Sequence, residues 1–568
     1  MRKQDFIFVA VLLLAGCSGE SGKKQGTAVE GHNIYASHGM VVSAHPQSSR
    51  IGVSVLQNGG NAVDAAVATE FALAVCYPEA GNIGGGGFML IRTNDGSSVV
   101  IDYRERAPLG ATRNMFLDRD GNVKEGSSTE TDLAAGVPGT VDGMIRVHSK
   151  YGRLSFRECI QPAIDLARKG FPVTEGQAQS LNMNRENFIK RNGVLPAFVK
   201  NSQWKGGDTL RQPALAETLE RIRDHGRDGF YSGKTAGLIL KEMKRGNGLI
   251  SPEDLKTYQA KFRKPLSAMY RGYKITTVPP PSGGGVILLQ ILGMLEPWSL
   301  SEAGFHTAKS VHLIAEAEKR AFADRAEYEG DPDFVKMRCD ILTGSAYLRK
   351  RFSDFNPGMA TESGKISAGS VKGFESEETT HYSIVDQYGN AVAATTTLNN
   401  IFGSSIVVDG AGFLLNNQMD DFSVKPGFPN TYGLTGGDAN SISPGKRMLS
   451  SMTPSIVEKD GKLFLVTGSP GGSTIPTTVF QVITDVIDYK MDIRQAVDTG
   501  RFHHQWLPDY ISYENQSIDS TVLEELIKME YKIRERGSIG SVNAVEIIKD
   551  GRMEAGADRR GNNVACGY

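Results

Sequence analysis

The sequence lacks an excess of charge of either sign. It has 63 lysine and arginine residues against 64 aspartate and glutamate residues, which gives a net charge of −1. A near-neutral chain offers no electrostatic basis for binding nucleic acid or an anionic membrane surface. The sequence also shows no internal repeat, and its 65 glycines are not periodic, which excludes a collagen-like chain.

Cysteine is scarce, with five residues in the whole chain. Four of them, Cys76, Cys159, Cys339 and Cys566, lie beyond the N-terminal segment, and none belongs to a C-x-x-C motif or a Cys/His cluster. We therefore expect no metal site. In an exported protein these cysteines could form disulfides, but their wide spacings dictate no pairing and favour buried free thiols.

Long hydrophobic runs are lacking, apart from a short one at the N-terminus. Two basic residues precede an apolar stretch at residues 6–15, which is too short to span a bilayer as a mature helix. The letters LAGC at residues 14–17 resemble the lipobox of bacterial lipoproteins. We expect residues 1–16 to be a signal peptide, Cys17 to be lipidated and residues 17–33 to form a flexible tether. The alternative is a plain signal peptide with an incidental cysteine.

What remains is an ordinary globular composition, with 40% hydrophobic and 22% charged residues in 568. Glycines cluster at residues 84–87 and 283–285, which predicts close approaches of backbone to backbone. Helical and strand patterns alternate, so the fold class is α/β (α+β). Helices are predicted at residues 45–58, 61–75, 136–150, 155–169, 214–224, 234–245, 286–295, 307–328 and 477–488. Strands are predicted at residues 88–92, 99–103, 413–415, 453–457, 464–467 and 542–549.

A polar segment at residues 351–378 is the best candidate for an exposed, cleavable link. It leads into a β-hairpin, because β-branched and aromatic residues flank the turn at residues 386–390. If the turn centres on Tyr388, antiparallel pairing places Thr379 opposite Thr397. A slip of one residue would move Thr397 to the other face of the sheet.

Three polar segments follow the hairpin. Residues 468–473 (GSPGGS) stand between a strand and a helix, where backbone N–H groups can bind a phosphate or a tetrahedral oxyanion. This is not a P-loop, because no G-K-[ST] follows. Residues 416–422 carry amides and carboxylates, and residues 449–454 carry hydroxyls. Each segment alone is also compatible with a solvated loop.

Six motifs stand in one order along the chain: TTHYS at 379–383, LLNNQMDDF at 414–422, GGDAN at 436–440, LSSM at 449–452, GSPGG at 468–472 and RFHHQW at 501–506. In order and spacing they resemble the bacterial γ-glutamyltransferases (γ-glutamyltranspeptidases) of the N-terminal-nucleophile hydrolase superfamily. The resemblance runs from about residue 35 to the C-terminus.

The resemblance implies an αββα sandwich made as one precursor that cuts itself before a threonine. Here the cut would separate Glu378 from Thr379, leaving a large subunit of residues 34–378 and a small catalytic subunit of residues 379–568. A freed α-amine has a pKa of about 7.7–8.0, so cleavage would place the nucleophile and its base on one residue.

The resemblance also implies the roles of individual residues. Thr379 would be the nucleophile, Thr397 its hydrogen-bond partner, and the N–H groups of Gly471 and Gly472 the oxyanion hole. Arg104 would hold the α-carboxylate of a γ-glutamyl group, although an ion pair with Glu105 is the alternative for that side chain. The other implied contacts are Ser450 and Ser451 at the carboxylate, and Asn399, Gln418 and Asp421 at the α-ammonium.

A loop at residues 427–437, with Tyr432 at its centre, resembles the lid of bacterial members. His503 and His504 are expected to be structural, because an N-terminal threonine needs no histidine base.

The implied function is γ-glutamyltransferase and glutathione hydrolase, in which a γ-glutamyl-enzyme passes its acyl group to water, amino acids or peptides. No metal or organic cofactor is implied. We expect an exported lipoprotein that faces the periplasm or is anchored in the outer membrane. The alternatives are a cephalosporin acylase, a poly-γ-glutamate hydrolase and an inactive, surface-tethered binding protein.

Overall fold

The computed structural model describes residues 27–367 and 379–568. Two large β-sheets stack face to face, and helices cover both outer faces, so the predicted αββα sandwich is confirmed. The strands are β1 (Val29–Gly31), β2 (Tyr35–Ala36), β3 (Met40–Ser43), β4 (Gly86–Arg92), β5 (Ser98–Asp102), β6 (Phe171–Pro172), β7 (Thr209–Leu210), β8 (Lys261–Arg263), β9 (Leu266–Tyr270), β10 (Tyr273–Thr277), β11 (Thr380–Val385), β12 (Ala391–Thr397), β13 (Ser455–Lys459), β14 (Lys462–Gly468), β15 (Phe502–His503), β16 (Ile511–Glu514), β17 (Ile533–Arg536), β18 (Asn543–Ile547), β19 (Met553–Ala557) and β20 (Val564–Gly567).

Helices account for most of the remaining regular structure. They are α1 (Pro46–Gln57), α2 (Ala62–Cys76), α3 (Thr140–Tyr151), α4 (Phe156–Lys169), α5 (Glu175–Met183), α6 (Arg185–Arg191), α7 (Pro213–His225), α8 (Asp228–Tyr231), α9 (Gly233–Gly246), α10 (Pro252–Thr257), α11 (Gly284–Leu295), α12 (Leu300–Ala303), α13 (Ala308–Tyr328), α14 (Cys339–Leu342), α15 (Ser345–Arg351), α16 (Ile475–Ile487), α17 (Ile493–Asp498) and α18 (Ser520–Lys528).

The two large sheets are antiparallel and interleave both halves of the chain. The first has the strand order β1-β20-β3-β11-β12-β4-β5-β8, and the second has the order β2-β19-β18-β14-β13-β10-β9. In each sheet, strands from before residue 367 pair with strands from after residue 379. A cut ahead of Thr379 would therefore leave two chains that share both sheets and one core.

Two hydrophobic cores hold the layers together. One packs α1, α2, α4 and α7 against the outer face of the first sheet. The other fills the space between the sheets and extends to α11, α13 and α16 on the far side. Burial of both faces explains why α2 and α11 are apolar nearly all round rather than along one stripe.

The glycine run at residues 84–87 confirms the predicted close approach of backbones. A Cβ at Gly84 would stand 2.1 Å from the carbonyl oxygen of Leu414, and one at Gly85 would stand 2.2 Å from that of Thr397. Any larger residue would push β4 and the preceding loop away from β12. The run thus fixes the backbone behind Thr397.

Most predicted elements are present, and two predictions need correction. Residues 413–415 are not a sheet strand, because Leu414 makes only an isolated bridge to Val407 inside a buried loop. The predicted tether at residues 17–33 is too long, since Val29–Gly31 pairs with β20. The signal peptide, Cys17 and residues 368–378 of the cleavable link, including Glu378, lie outside the described residues.

The four described cysteines, Cys76, Cys159, Cys339 and Cys566, are free thiols. Within residues 27–367 and 379–568, no helix combines the length and the apolar character that a bilayer crossing needs.

Candidate active site

The hairpin β11–β12 has the predicted register. Thr380 pairs with Thr396, which places Thr379 opposite Thr397. Both threonines are buried, with 4% and 2% of their surface exposed. The Thr397 hydroxyl accepts a hydrogen bond from the N–H of Asn399 at 2.9 Å, and Asn82 donates to the Thr397 carbonyl at 2.9 Å.

Gly471 and Gly472 form the turn between β14 and α16. Their φ angles are 133° and 51°, which favour glycine at both positions. Among the described residues, no group accepts a hydrogen bond from either N–H, while the Gly471 carbonyl is bound by Thr474 at 2.9 Å. The turn therefore presents two uncommitted N–H donors beside Thr379, as an oxyanion hole requires.

These groups meet because several strands end at one edge of the sandwich. β11 begins where β12 ends, and β5 runs in the same direction as β12. In the second sheet, β13 begins and β14 ends at one edge. The sequence places polar residues just beyond each of these strand ends.

The residues beyond the strand ends enclose a cavity of about 20 Å³, which has room for roughly a single water molecule while Tyr432 covers it. We call it the Arg104 cavity. It is lined by Arg104, Arg325, Thr379, Thr397, Asn399, Gln418, Asp421, Tyr432, Leu434, Leu449, Ser450, Ser451, Met452, Gly472 and Ile475. Of the predicted catalytic and substrate-contacting residues, Gly471 alone is not in this set. It lies in the same turn as Gly472, one position earlier.

Arg104 is fully buried and already has partners. Its guanidinium forms an ion pair with Asp421, donates to the Leu449 carbonyl at 3.3 Å and lies 3.6 Å from Glu105. The alternative partner Glu105 therefore contacts it, and so does Asp421, which was predicted at the α-ammonium and not as a partner of Arg104. Burial raises the pKa of Glu105 to about 7, although the positive charge of Arg104 opposes this rise.

The amide and hydroxyl residues lie around this ion pair. Gln418 donates to Asp421 at 2.7 Å from the same 3₁₀ turn, and the side-chain oxygens of Gln418 and Asn399 have no partner among the described residues. Ser450 is held by its backbone N–H, which donates to the Pro281 carbonyl at 2.9 Å. The buried hydroxyl of Ser451 also lacks a partner in the described chain. Unpaired polar atoms at a cavity wall are available to a ligand.

Tyr432 closes the cavity from the predicted lid loop. Its hydroxyl donates to the Asn399 carbonyl at 2.6 Å, and its ring contacts Gly472, where a Cβ would meet the ring at 2.5 Å. The ends of the loop meet where Gly427 donates to the Gly436 carbonyl at 3.1 Å. The geometry suits a lid, and opening it would break the Tyr432 hydrogen bond.

Arg325 lines the cavity and was missed by the sequence analysis. It lies on α13, is only 4% exposed, and its Nε has no hydrogen-bond partner among the described residues, while Glu329 and Asp421 attract its positive charge from beyond ion-pair distance. Glu329 follows one turn later, and burial raises its pKa to about 8, so it carries little charge at neutral pH. The only signal for Arg325 in the sequence is its spacing: it follows Phe322 by three positions, so it lies on the side of the helix that packs against the core.

His503 and His504 do not line the Arg104 cavity. Burial lowers the pKa of His503 to about 3 and that of His504 to about 4. His503 bonds the Thr477 hydroxyl at 2.8 Å, and His504 accepts from the N–H of Trp506 at 3.0 Å. These contacts fit the structural roles that the sequence predicted.

One cluster in the described chain has the composition of a metal site. Ligand atoms of Asp64, His148 and Cys159 lie within 4.8 Å of one another. However, Asp64 caps α2 and accepts hydrogen bonds from the N–H groups of Asn61 and Arg153, each at 2.9 Å. These bonds explain the buried carboxylate without an ion.

The αββα sandwich and a threonine at the start of a strand, beside the Gly471–Gly472 turn, define an N-terminal-nucleophile hydrolase. Residues 48–568 match the model of the gamma-glutamyltranspeptidase family, and the chain belongs to that family. It is 46% identical over 540 residues to the glutathione hydrolase proenzyme of Escherichia coli K12, covering 94% of this chain and 93% of that protein. It is 36% identical over 529 residues to the acylase ACY 1 proenzyme of Pseudomonas sp. strain V22, covering 92% of each.

Solved structures agree. The gamma-glutamyltranspeptidase of Helicobacter pylori matches with a TM-score of 0.56 and 47% identity, covering 57% of this chain and 94% of that one. The cephalosporin acylase of Bacillus halodurans matches with a TM-score of 0.81, covering 98% of this chain and 99% of that one. Its identity is 22%, so this match concerns the fold alone.

Proposed function

We propose that this chain is a γ-glutamyltransferase and glutathione hydrolase that cuts itself between Glu378 and Thr379. One observation carries the proposal: Thr379 stands at the start of β11 between an oxyanion turn and a cavity that contains the Arg104–Asp421 ion pair. The family and its glutathione hydrolase relatives support it.

Self-cleavage begins from the uncut chain. The Thr379 hydroxyl attacks the carbonyl carbon of Glu378, and the C–N bond breaks to give an ester and a free α-amine. Water then hydrolyses the ester. The new amine has a pKa of about 7.7–8.0, so it can act as a base near neutral pH.

In the mature enzyme, the Thr379 oxygen attacks the γ-carbonyl of the substrate. The negative charge that develops on the carbonyl oxygen is stabilised by the N–H groups of Gly471 and Gly472, each worth about 3–4 kcal/mol by analogy with other oxyanion holes. The amine of the substrate leaves with the proton taken from Thr379. A γ-glutamyl ester remains until water or another amine replaces the threonine oxygen.

The Arg104–Asp421 ion pair explains the choice of a free glutamyl head group. The α-carboxylate of a substrate can replace Asp421 as the partner of Arg104, while its α-ammonium becomes the partner of Asp421. One internal ion pair is thus exchanged for two, so neither buried charge loses its partner. A substrate that carries only one of these charges would leave the other side chain unpaired.

Arg325 adds a second positive charge to the same cavity. A buried guanidinium without an ion pair is costly, and a bound carboxylate removes that cost. We include Arg325 among the groups that attract the α-carboxylate, beside Ser450 and Ser451.

The alternative activities differ in their acyl group. An acylase is supported by the 36% identity to the Pseudomonas acylase. The glutaryl group that a cephalosporin acylase would remove has no α-ammonium to bind Asp421. A poly-γ-glutamate hydrolase would need the chain of its substrate to pass the closed Tyr432 lid. An inactive binding protein would have no need of the unpaired N–H groups of Gly471 and Gly472.

We also propose export as a lipoprotein, with residues 1–16 removed and Cys17 lipidated, facing the periplasm or in the outer membrane. The LAGC motif supports this. Cys17→Ser should abolish incorporation of labelled palmitate and release the protein from membranes. Unchanged membrane association would contradict the anchor.

A denaturing gel and a substrate assay test the main proposal. Wild-type protein should give two bands and release the aniline from a γ-glutamyl anilide, while the α-glutamyl anilide stays intact. Thr379→Ala should give one band and no activity with unchanged melting temperature, and Thr379→Ser, which keeps a hydroxyl, should still be cleaved slowly. A single full-length wild-type band would refute self-cleavage.

A further inference from the structure

Two buried asparagines, Asn82 and Asn416, lie directly behind the active site. They are 2% and 0% exposed, and neither belongs to the residues that line the Arg104 cavity. Each uses both the oxygen and the nitrogen of its side-chain amide in hydrogen bonds. A buried amide is tolerated only when its hydrogen bonds are made, so the partners of these side chains indicate what they hold in place.

Asn82 holds the end of β12. Its amide nitrogen donates to the Thr397 carbonyl at 2.9 Å and to the Thr396 hydroxyl at 3.1 Å. Its amide oxygen accepts from the N–H of Gly85 at 2.9 Å and from the Thr140 hydroxyl at 2.8 Å. The nitrogen of this side chain therefore fixes the last two residues of β12, and its oxygen attaches them to the large subunit.

Asn416 holds the start of the 3₁₀ turn Gln418–Asp421, which we call the recognition turn. Its amide oxygen accepts from the N–H of Gln418 at 3.0 Å and from that of Gly136 at 2.8 Å. Its amide nitrogen donates to the carbonyls of Gly84 and Gly136, both at 2.8 Å. The recognition turn carries two of the side chains that are proposed to contact the α-ammonium of the substrate.

Both asparagines bind to the same two segments, residues 84–85 and 136–140, which we call the glycine frame. The two segments are bonded to each other, because the Gly85 carbonyl accepts from the N–H of Gly139 at 2.8 Å. A Cβ at Gly85 would stand 2.8 Å from the amide oxygen of Asn82, so this contact needs glycine. The frame thus has one asparagine bound at each side.

These hydrogen bonds cross between the two predicted subunits. Asn82 and the glycine frame precede residue 367, whereas β12, Asn416 and the recognition turn follow residue 379. The nucleophile and the recognition turn both belong to the small subunit, yet each is held against one frame in the large subunit. The position of one relative to the other therefore depends on that frame.

We propose that Asn82 and Asn416 are positioning residues with separate tasks. Asn82 positions Thr397 beside the nucleophile, and Asn416 positions the recognition turn. The inference rests on the proposed self-cleaving γ-glutamyltransferase. Self-cleavage uses Thr379 and its partner Thr397 but no bound glutamyl group, so it depends on Asn82 and is independent of Asn416. Binding of the α-ammonium depends on Asn416.

Two measurements separate the tasks. The freshly translated full-length chain is followed with time on a denaturing gel, which gives the rate constant of self-cleavage. The cleaved enzyme is then assayed with γ-glutamyl anilide and with glutaryl anilide, which lacks the α-ammonium. A change in KM that appears only with γ-glutamyl anilide reports on recognition of the α-ammonium.

Asn82→Leu removes the hydrogen bonds of the amide with little change in volume. Self-cleavage and kcat should both slow about 10- to 100-fold, because the hydroxyl that assists the nucleophile loses its fixed position. The KM for γ-glutamyl anilide should change less than about twofold, because the recognition turn keeps its hydrogen bonds.

Asn416→Leu is the matched variant, because it makes the same substitution at an equally buried amide on the same frame. The KM for γ-glutamyl anilide should rise about tenfold, while the KM for glutaryl anilide and the rate constant of self-cleavage stay within about twofold of the wild type. Each asparagine is thus the control for the other.

Asn82→Asp and Asn416→Asp are gentler changes that cover a leucine variant that does not fold. Each keeps an oxygen that can accept and loses the amide donors. Asn416 binds Gln418 through its oxygen, so Asn416→Asp should keep a KM close to that of the wild type. Asn82 binds β12 through its nitrogen, so Asn82→Asp should still cleave itself slowly.

Equal slowing of self-cleavage by the two leucine variants, or by the two aspartate variants, would mean that both asparagines only support the fold, and it overturns the inference. Wild-type rates and KM values in all four variants also overturn it. A wild-type chain that neither cuts itself nor releases the aniline would defeat the proposed function, and this result is visible before any variant is compared.

Discussion

Arg104 and Arg325 line the same cavity, but their surroundings differ. Arg104 is held by Asp421, Glu105 and a backbone carbonyl, whereas the Nε of Arg325 has no hydrogen-bond partner in the described chain. The first arginine is oriented before a substrate arrives. The second is a buried charge that Glu329 and Asp421 attract without forming an ion pair with it. Orientation and attraction of a carboxylate are thus divided between two residues.

Arg104→Met should have the larger effect. It removes a charged hydrogen bond to the substrate and leaves Asp421 unpaired, so kcat/KM for a γ-glutamyl anilide should fall about 10- to 100-fold. The control substrate is 4-aminobutanoyl anilide, which lacks the α-carboxylate. Its kcat/KM should change much less, and equal losses on both substrates would show that Arg104 only supports the fold.

The two arginines also differ in how visible they are in the sequence. Arg104 comes directly after a predicted strand, and the resemblance to a family assigns it a role. Arg325 lies in the middle of a long amphipathic pattern, where nothing distinguishes it from the other charged residues of α13. Its importance depends on the distance between α13 and the 3₁₀ turn Gln418–Asp421, and that distance is set by packing between remote segments.

The same distinction holds for the fold. The register of β11 and β12 follows from a local turn and a two-residue period, so the pairing of Thr379 with Thr397 was predictable. The apolar run at residues 413–415 was predicted wrongly as a strand. It is a buried loop, because β12 already pairs with β4 on that side and the run fills the core with side chains instead.

Arg325→Met should have a smaller effect than Arg104→Met. It removes a buried charge that forms no ion pair in the described chain, so stability should be unchanged or higher, while kcat/KM for the γ-glutamyl anilide falls about three- to tenfold. Arg325→Lys keeps the charge and should recover part of the loss. If Arg325→Met lowers kcat/KM equally for 4-aminobutanoyl anilide, the residue does not act on the α-carboxylate.

Glu105→Gln should have the smallest effect, and one that depends on pH. Burial raises the pKa of Glu105 from 4.5 to about 7, so the carboxyl is neutral below about pH 7 and anionic above it. As an anion 3.6 Å from Arg104, it competes with the α-carboxylate of the substrate. The KM of the wild type should therefore rise a few-fold from pH 6 to pH 8.5, and that of Glu105→Gln should rise less.

Dividing the KM of the wild type by the KM of Glu105→Gln at each pH isolates the effect of Glu105 ionisation, because the α-amine of Thr379 titrates alike in both proteins. The stability of the wild type should also decrease as the pH rises, in parallel with the weaker binding of substrate. A raised pKa in the folded state gives a contribution that is complete below pH 4.5 and is lost as the pH rises through about 7. The melting temperature of the wild type should then fall more steeply over this range than that of Glu105→Gln. A KM ratio that is constant with pH would mean that Glu105 does not act on Arg104, which would then be oriented by Asp421 and the Leu449 carbonyl without it.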